Sequence, residues 1–339
     1  MNTIIKPVIY TLIMCPLMIY AQFVSADEPN TCGDVTIADM NWNSATLMAH
    51  VDQFILEHGY GCDTSLVPGD TMPTGVSMTE KGEPDIAPEF WTNSHKAMLD
   101  KGVKEGRLRY AGDAFSQGGN EGFWIPKYMV DAHPELATID GIKAHPELFP
   151  HPEDPDKAAF MGCPAGWTCQ ISAKHIFDAL KLDQAGFEMV DPGSAAGLAG
   201  TIARANDREN PWFGYYWAPT PVMGKYDMVE VDLGAEVDLE HYKQCITQAD
   251  CRTPRVTAFP TSPVHSLTTA SFAQEAPAAF NYIAHREYDN QVMSDMLAWM
   301  DTYQADGEIA ADEFLRRYRS LWHQWVDDET VQRVESALK

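Results

Sequence analysis

Hydrophobic positions in the first third of the chain change repeatedly between the period of a strand and that of a helix. A strand-like run over 35–40 precedes a cap predicted at Asn43-Ser44 and a run with Leu47, Val51 and Ile55 at helical spacing. The alternation continues with a strand ending at Val67, a short helix after Pro73, a strand at 85–87 and a helix after Asn93-Ser94. This order indicates a parallel sheet with crossover helices.

The rest of the chain is organised differently. Residues 117–230 are richer in glycine, proline and aromatic residues, and the chain from Ser271 onward has helical patterning. A repeated Ala-His-Pro-Glu-Leu, at 132–136 and again at 144–148, predicts two helix starts. Because the length exceeds that of one ordinary domain, we expect two α/β lobes with helices packed on the first.

The amino terminus has the pattern of a secretory signal. Residues 1–26 carry one charge, at Lys6, then an apolar run from Val8 to Ala21 and small residues before a cleavage point after Ala26. The alternative, an uncleaved membrane anchor, needs about 20 apolar residues, more than this run supplies. We therefore predict an exported, periplasmic protein.

Charge excludes two classes of partner. The chain has 24 Lys and Arg against 49 Asp and Glu, a formal net charge of −25. Such a field repels phosphates and anionic lipid headgroups, so we expect neither nucleic acid nor a membrane surface as a partner.

Six cysteines remain after the one inside the predicted signal. An even number in an exported chain predicts disulfides, although six cysteines allow fifteen connectivities. Cys163 with Cys169, and Cys245 with Cys251, would each close a small loop. That leaves Cys32 with Cys62, which precede consecutive strand-like runs whose starts would be neighbours in a parallel sheet. No CxxC or Cys/His cluster is present, so we expect no metal site.

Tryptophans after predicted strands are the main candidates for chemistry. The sequence has no P-loop, dinucleotide fingerprint, zinc-protease motif or nucleophile elbow, and we expect no catalytic residue and no cofactor. Ligands of open α/β sheets bind where strands end, which is where the pattern places Trp42, Trp91, Trp167 and Trp217. A quaternary ammonium cannot donate a hydrogen bond and binds aromatic faces, each worth up to about 2 kcal/mol. Three or four faces approach the roughly 8 kcal/mol of micromolar affinity.

Three segments resemble a known family. Gly-Cys-Pro-Ala-Gly-Trp-Thr-Cys at 162–169, Trp-Thr-Asn-Ser-His at 91–95 and Tyr-Trp-Ala-Pro at 216–219 are similar, in the same order, to motifs of the glycine betaine and proline betaine binding proteins of ABC importers. The resemblance implies the α/β, two-lobed fold of type II periplasmic binding proteins. We expect residues 27–116 and 231–339 to form lobe 1, residues 117–230 to form lobe 2, and a hinge near Gly118-Gly119.

The resemblance also implies a site. It places Trp91, Trp167 and Trp217 around the cationic head of the ligand. It also implies that His95 and the backbone N–H groups of Trp167 and Thr168 bind the ligand's anionic end. Two features depart from the family pattern: Trp42 would add a fourth aromatic wall, and Glu121 places a carboxylate near the hinge. Such a carboxylate favours a cation with a weak or absent acid group.

The expected function is that of a monomeric periplasmic receptor. It would deliver an osmolyte such as glycine betaine, proline betaine, choline, dimethylsulfoniopropionate or trimethylamine N-oxide to a membrane permease and its ATPase. The alternative from another class is a secreted, disulfide-bonded hydrolase that uses His95 with Glu121 or Asp85 as an acid/base pair.

Overall fold

The computed structural model describes Met1 and residues 32–339, so the predicted signal peptide lies outside the described residues. We number the strands of the described part in chain order: β1 (Asp34–Met40), β2 (Asp63–Gly69), β3 (Ile86–Trp91), β4 (Leu108–Asp113), β5 (Asn120–Pro126), β6 (Ala158–Met161), β7 (Phe187–Val190), β8 (Gly214–Ala218), β9 (Met228–Glu230) and β10 (Val264–Thr269).

Helices separate most of these strands and cover the carboxyl-terminal region. They are α1 (Asn43–Tyr60), α2 (Thr71–Glu80), α3 (Lys96–Lys104), α4 (Lys127–Ala132), α5 (Ile139–Ala144), α6 (Cys169–Ala179), α7 (Ala195–Arg208), α8 (Pro221–Lys225), α9 (Leu239–His241), α10 (Ala270–Glu275), α11 (Pro277–His285), α12 (Asn290–Tyr303), α13 (Gly307–Arg317), α14 (Arg319–Trp322) and α15 (Asp328–Ala337). Tight turns also form at Asn93–His95, Pro134–Ala137 and Pro146–Leu148, and a π-helical turn at Tyr242–Ile246. Within the described residues, no helix has the length and apolarity needed to cross a membrane.

Two five-stranded sheets form two lobes. The strand order is β2-β1-β3-β10-β4 in the first sheet and β7-β6-β8-β5-β9 in the second. In each sheet one strand runs antiparallel to both neighbours: β10 between β3 and β4, and β5 between β8 and β9. The predicted two-lobed α/β fold is confirmed, with an antiparallel strand in each sheet that the alternating pattern does not reveal.

The chain passes between the sheets along two segments that pair with each other. Gly119, just before β5, and Ser262, just before β10, form an isolated antiparallel bridge. Each backbone N–H donates to the other residue's carbonyl at 2.8 Å. The two connections between the lobes therefore meet at the position where the sequence predicts a hinge.

The segment after β9 contacts the second lobe. Asp232 bridges to Thr138, the carbonyl of Ile246 lies 2.9 Å from the His175 imidazole, and Phe259 packs on Phe123 with ring centroids 5.5 Å apart. Asp232, Ile246 and Phe259 thus pack against the second lobe, although they lie beyond residue 230, where we expect that lobe to end.

Helix α1 shows how the pattern positions the site. Leu47, Val51 and Ile55 are fully buried against the first sheet, as their spacing predicts. The helix begins at Asn43 without a side-chain cap, and Gly61, with φ of 69°, ends it. Since α1 starts directly after β1, Trp42 lies at the carboxyl end of that strand.

A buried ion pair fixes α1 to the first sheet. Arg286 Nε lies 2.8 Å from the Asp52 carboxylate, and both side chains are completely buried. Arg286 also donates to the Pro88 carbonyl at 3.1 Å and to the Ser266 hydroxyl at 2.8 Å, and the Tyr282 hydroxyl donates to Asp52 at 2.7 Å. These bonds offset part of the cost of burying the two charges.

The three predicted disulfides are present: Cys32–Cys62, Cys163–Cys169 and Cys245–Cys251. The first joins the starts of β1 and β2, which pair in parallel over seven residues. The repeated Ala-His-Pro-Glu-Leu segments each begin a 3₁₀ turn at their proline, Pro134 and Pro146, as expected for helix starts.

Candidate ligand-binding site

The four predicted tryptophans meet between the lobes. Trp42 follows β1 and Trp91 ends β3 on the first lobe, whereas Trp167 precedes α6 and Trp217 lies in β8 on the second. The Trp167 ring contacts Trp42 and Trp217 edge to face, with ring centroids 5.4 Å and 4.9 Å away. All four side chains are buried and line one cavity, so together they form an aromatic cluster that spans both lobes.

A small cavity lies within this cluster. It measures about 20 Å³, and a larger cavity of about 290 Å³ beside it shares Trp42 and Trp217. The small cavity is lined by Trp42, Thr71, Trp91, Glu121, Trp167, Thr168, Cys169, Tyr215 and Trp217. A methylated ammonium is larger than this space, so its entry requires the rings to move apart. Because each lobe carries two of the tryptophans, a separation of the lobes would move the rings apart.

Glu121 supplies a carboxylate to the lining. Its side chain is 5% exposed, the Tyr215 hydroxyl donates to Oε1 at 2.8 Å, and the Ser262 hydroxyl donates to Oε2. Burial raises the pKa of Glu121, and the hydrogen bonds from Ser262 and Tyr215 act in the opposite direction. Among the described residues that line the small cavity, Glu121 is the one acidic group and no basic group is present. The cavity therefore favours positive charge.

Glu89 orients two of the rings from behind. Its carboxylate Oε1 accepts hydrogen bonds from the indole Nε1 of Trp42 and the indole Nε1 of Trp91, each at 2.8 Å. Glu89 is fully buried in β3, two residues before Trp91. One carboxylate thus joins the first-lobe walls of the cavity.

The loop at Trp167 joins the two lobes. Its ends are bridged by Cys163–Cys169, and the Trp167 indole donates to the Asn41 side-chain oxygen at 3.0 Å. The Met72 N–H donates to the Gly166 carbonyl at 3.1 Å. Gly166 has φ of +91°, and a Cβ there would lie 2.9 Å from Asp70. Both the positive φ and the close approach of Asp70 favour glycine at this position.

His95 lies outside the lining of the cavity. It ends the turn Asn93–His95, and its ring packs beside Phe90 with centroids 6.4 Å apart. Asp85, the other member of the proposed acid/base pair, accepts hydrogen bonds from the Thr36 N–H at 2.9 Å and the Thr36 hydroxyl at 2.7 Å. Neither residue lines the cavity with Glu121, so the structure does not assemble the groups of the hydrolase alternative there.

Two residues of the site were missed in the sequence. Tyr215 lines the cavity and lies two residues before Trp217 in β8, and Glu89 has the same relation to Trp91 in β3. Side chains two residues apart in a strand share a face. The spacing from Trp217 and Trp91 could therefore have indicated both residues. In the described part of the chain no group of three His, Cys, Asp or Glu side chains could hold a metal ion.

The two lobes, their paired connections and the buried site between them define a two-lobed binding protein. The sequence of residues 33–317 matches the OpuAC family, the substrate binding domain of ABC-type glycine betaine transport systems. The chain belongs to this family.

Solved structures share the fold. A choline-binding protein of an ABC transporter, in complex with choline, has a TM-score of 0.70 at 18% identity, over 91% of this chain and 99% of that one. The glycine betaine/L-proline-binding protein from Borrelia burgdorferi has a TM-score of 0.70 at 16% identity, over 89% and 99%. Lactococcal OpuAC, closed on glycine betaine, has a TM-score of 0.63 at 16% identity, over 87% and 100%.

Proposed function

We propose that this protein is the periplasmic receptor of an ABC importer, and that it binds a small methylated ammonium compound between its lobes without chemical conversion. Family membership supports the transport role, and the signal predicted in residues 1–26 supports the location. The receptor would act as a monomer and pass its ligand to a membrane permease driven by an ATPase.

The lining of the small cavity supports the ligand class. Four indoles and the Tyr215 ring offer aromatic faces, to which a methylated ammonium binds through its diffuse positive charge. The cavity borders both lobes, so a ligand there contacts both and draws them together.

The observation that carries the choice of ligand is the buried Glu121 carboxylate in that lining. It attracts the ammonium group and repels a carboxylate on the same small molecule. We therefore propose that choline, which has a hydroxyl in place of the acid group, binds more tightly than glycine betaine or proline betaine.

Calorimetric titration with choline, glycine betaine, proline betaine, dimethylsulfoniopropionate and trimethylamine N-oxide tests this proposal. We expect choline to bind at least tenfold more tightly than glycine betaine, and E121Q to move this ratio toward glycine betaine. Trp217→Ala should weaken choline binding, whereas Trp299→Ala, on α12 and outside the lining, is the matched control. Absence of binding throughout the panel, or a reaction product in the mixture, would contradict the proposed function.

A further inference from the structure

Glu89 is a buried acid placed behind the cavity rather than in its lining. It is fully buried in β3, and one oxygen accepts both the Trp42 and the Trp91 indole N–H groups. The Ser44 hydroxyl also faces this carboxyl group. Both indoles thus direct their N–H edges toward Glu89, so the orientation of two first-lobe walls depends on a single side chain.

The charges around Glu89 leave it incompletely balanced within the protein. Arg286 is the basic group that acts on it, but the Arg286 guanidinium is paired with Asp52 at 2.8 Å. Burial raises the pKa of Glu89, while the two indole hydrogen bonds, Ser44 and Arg286 favour its charged form. The Asp52–Arg286 pair is neutral as a unit, so a cation on the cavity side would supply the missing balance.

An indole that donates its N–H to a carboxylate becomes a better partner for a cation. The hydrogen bond polarises the ring toward greater electron density, and the carboxylate charge adds to the negative potential at the ring face. In a buried site this potential is weakly screened. A neutral ligand of the same shape gains nothing from either effect, although it fills the same space.

We propose that Glu89 is a positioning residue that makes the aromatic cluster selective for charge. Through the N–H groups of Trp42 and Trp91, it strengthens the binding of a methylated cation relative to that of a neutral molecule of equal shape. This inference rests on the proposed function and adds a residue that does not itself line the cavity.

The test compares choline with 3,3-dimethyl-1-butanol, in which a carbon atom replaces the ammonium nitrogen. Glu89→Gln keeps an oxygen acceptor for the indoles and removes the charge. We expect it to lower choline affinity about tenfold and to change that of the neutral analogue by less than twofold. Glu89→Leu, which removes the acceptor as well, should weaken both ligands because the rings lose their orientation.

Tryptophan replacements provide a second measurement that leaves Glu89 intact. Trp91→Phe keeps an aromatic face and removes the N–H that bonds to Glu89, whereas Trp217→Phe makes the same change on the second lobe. We expect the choline preference over the neutral analogue to fall several-fold further in Trp91→Phe than in Trp217→Phe, since both variants lose an indole face but, of the two, Trp91 is the one that donates to Glu89. These two variants decide the matter if Glu89→Gln fails to fold.

The outcomes separate this inference from the proposed function. Equal losses for both ligands in Glu89→Gln, or an unchanged choline preference in folded Glu89→Gln, would overturn the role of Glu89. The same holds if Trp91→Phe and Trp217→Phe reduce the preference equally. A wild-type protein that binds neither choline nor another methylated ammonium would instead contradict the proposed function.

Discussion

Gly119 lies directly against the indole ring of Trp91. A Cβ on Gly119 would stand 2.0 Å from Cη2 and 2.1 Å from Cζ3 of that ring, far inside van der Waals contact. Gly119 also pairs with Ser262 where the chain crosses between the lobes. One wall of the cavity thus rests on the backbone of the connection that links the lobes.

Gly119→Ala should displace the Trp91 ring and weaken ligand binding. Loss of one aromatic face is worth up to about 2 kcal/mol, so we expect choline affinity to fall about 10- to 30-fold in calorimetry. Gly224→Ala is the matched control, because a Cβ at Gly224 meets nothing within 4 Å. Unchanged affinity in Gly119→Ala would show that Trp91 does not form a wall of the occupied site.

Choline binding should weaken as the pH falls. A bound cation favours ionised Glu121, so protonation of this carboxyl removes attraction, and the loss begins above the ordinary glutamic acid value of 4.5 because burial raises the pKa. The neighbouring Tyr215 and Tyr242 have pKa values raised well above 10 and stay neutral throughout. Titrations between pH 8 and pH 4.5 should show a smaller decline in Glu121→Gln. An identical decline in both proteins would assign the pH dependence to another group.

The two short disulfide loops offer a matched comparison. Cys163–Cys169 holds the loop that carries Trp167, whereas Cys245–Cys251 closes a loop of the same length that does not line the cavity. Replacing Cys163 and Cys169 by serine should lower choline affinity about 3- to 10-fold, since ordering a mobile side chain on binding costs about 0.5–1.5 kcal/mol. The corresponding double replacement at 245 and 251 should leave calorimetric affinity unchanged. Equal losses would point to a general effect on folding.

Removal of Arg286 should strongly destabilise the protein. Arg286→Met leaves the Asp52 carboxylate buried without its partner, a change that costs about 3–5 kcal/mol. Arg316→Met, which breaks an exposed pair with Asp312 one helical turn away, should cost at most about 0.5 kcal/mol. Urea unfolding measures both values. Combining Arg286→Met with Asp52→Asn should recover part of the stability, and a further loss in the double variant would contradict this account.

Much of the fold could be predicted because its signals are local. The spacing of Leu47, Val51 and Ile55 predicts α1, and the cysteine spacings predict two of the bridges. The third bridge, Cys32–Cys62, was expected as the remaining pair at two neighbouring strand starts. The position of β10 between β3 and β4 had no such signal, because Val264 pairs with Trp91 across more than 170 residues of chain. The packing of the segment after β9 on the second lobe had no local signal for the same reason, since it depends on long-range contacts such as Phe123 with Phe259.

The candidate site was expected from residue types and from their places after strands. Ligands of open α/β sheets bind where strands end, and the structure brings the four tryptophans and the Glu121 carboxylate around one cavity. The position of His95 could not be predicted in this way, since His95 does not line the cavity. Its place in the motif fixes its distance along the chain from Trp91, but its ring packs beside Phe90 and is not part of the lining.

Because the aromatic cluster is divided between the two lobes, a ligand could occupy the receptor without being transported. A compound that bound only the two first-lobe tryptophans would occupy the receptor without contacting the second lobe. In the proposed function the importer would engage the receptor with its two lobes closed on the ligand, so such a compound would act as an uptake inhibitor. Such an inhibitor would carry bulky substituents on one side of its ammonium group. These substituents would prevent the second-lobe rings from contacting the ligand.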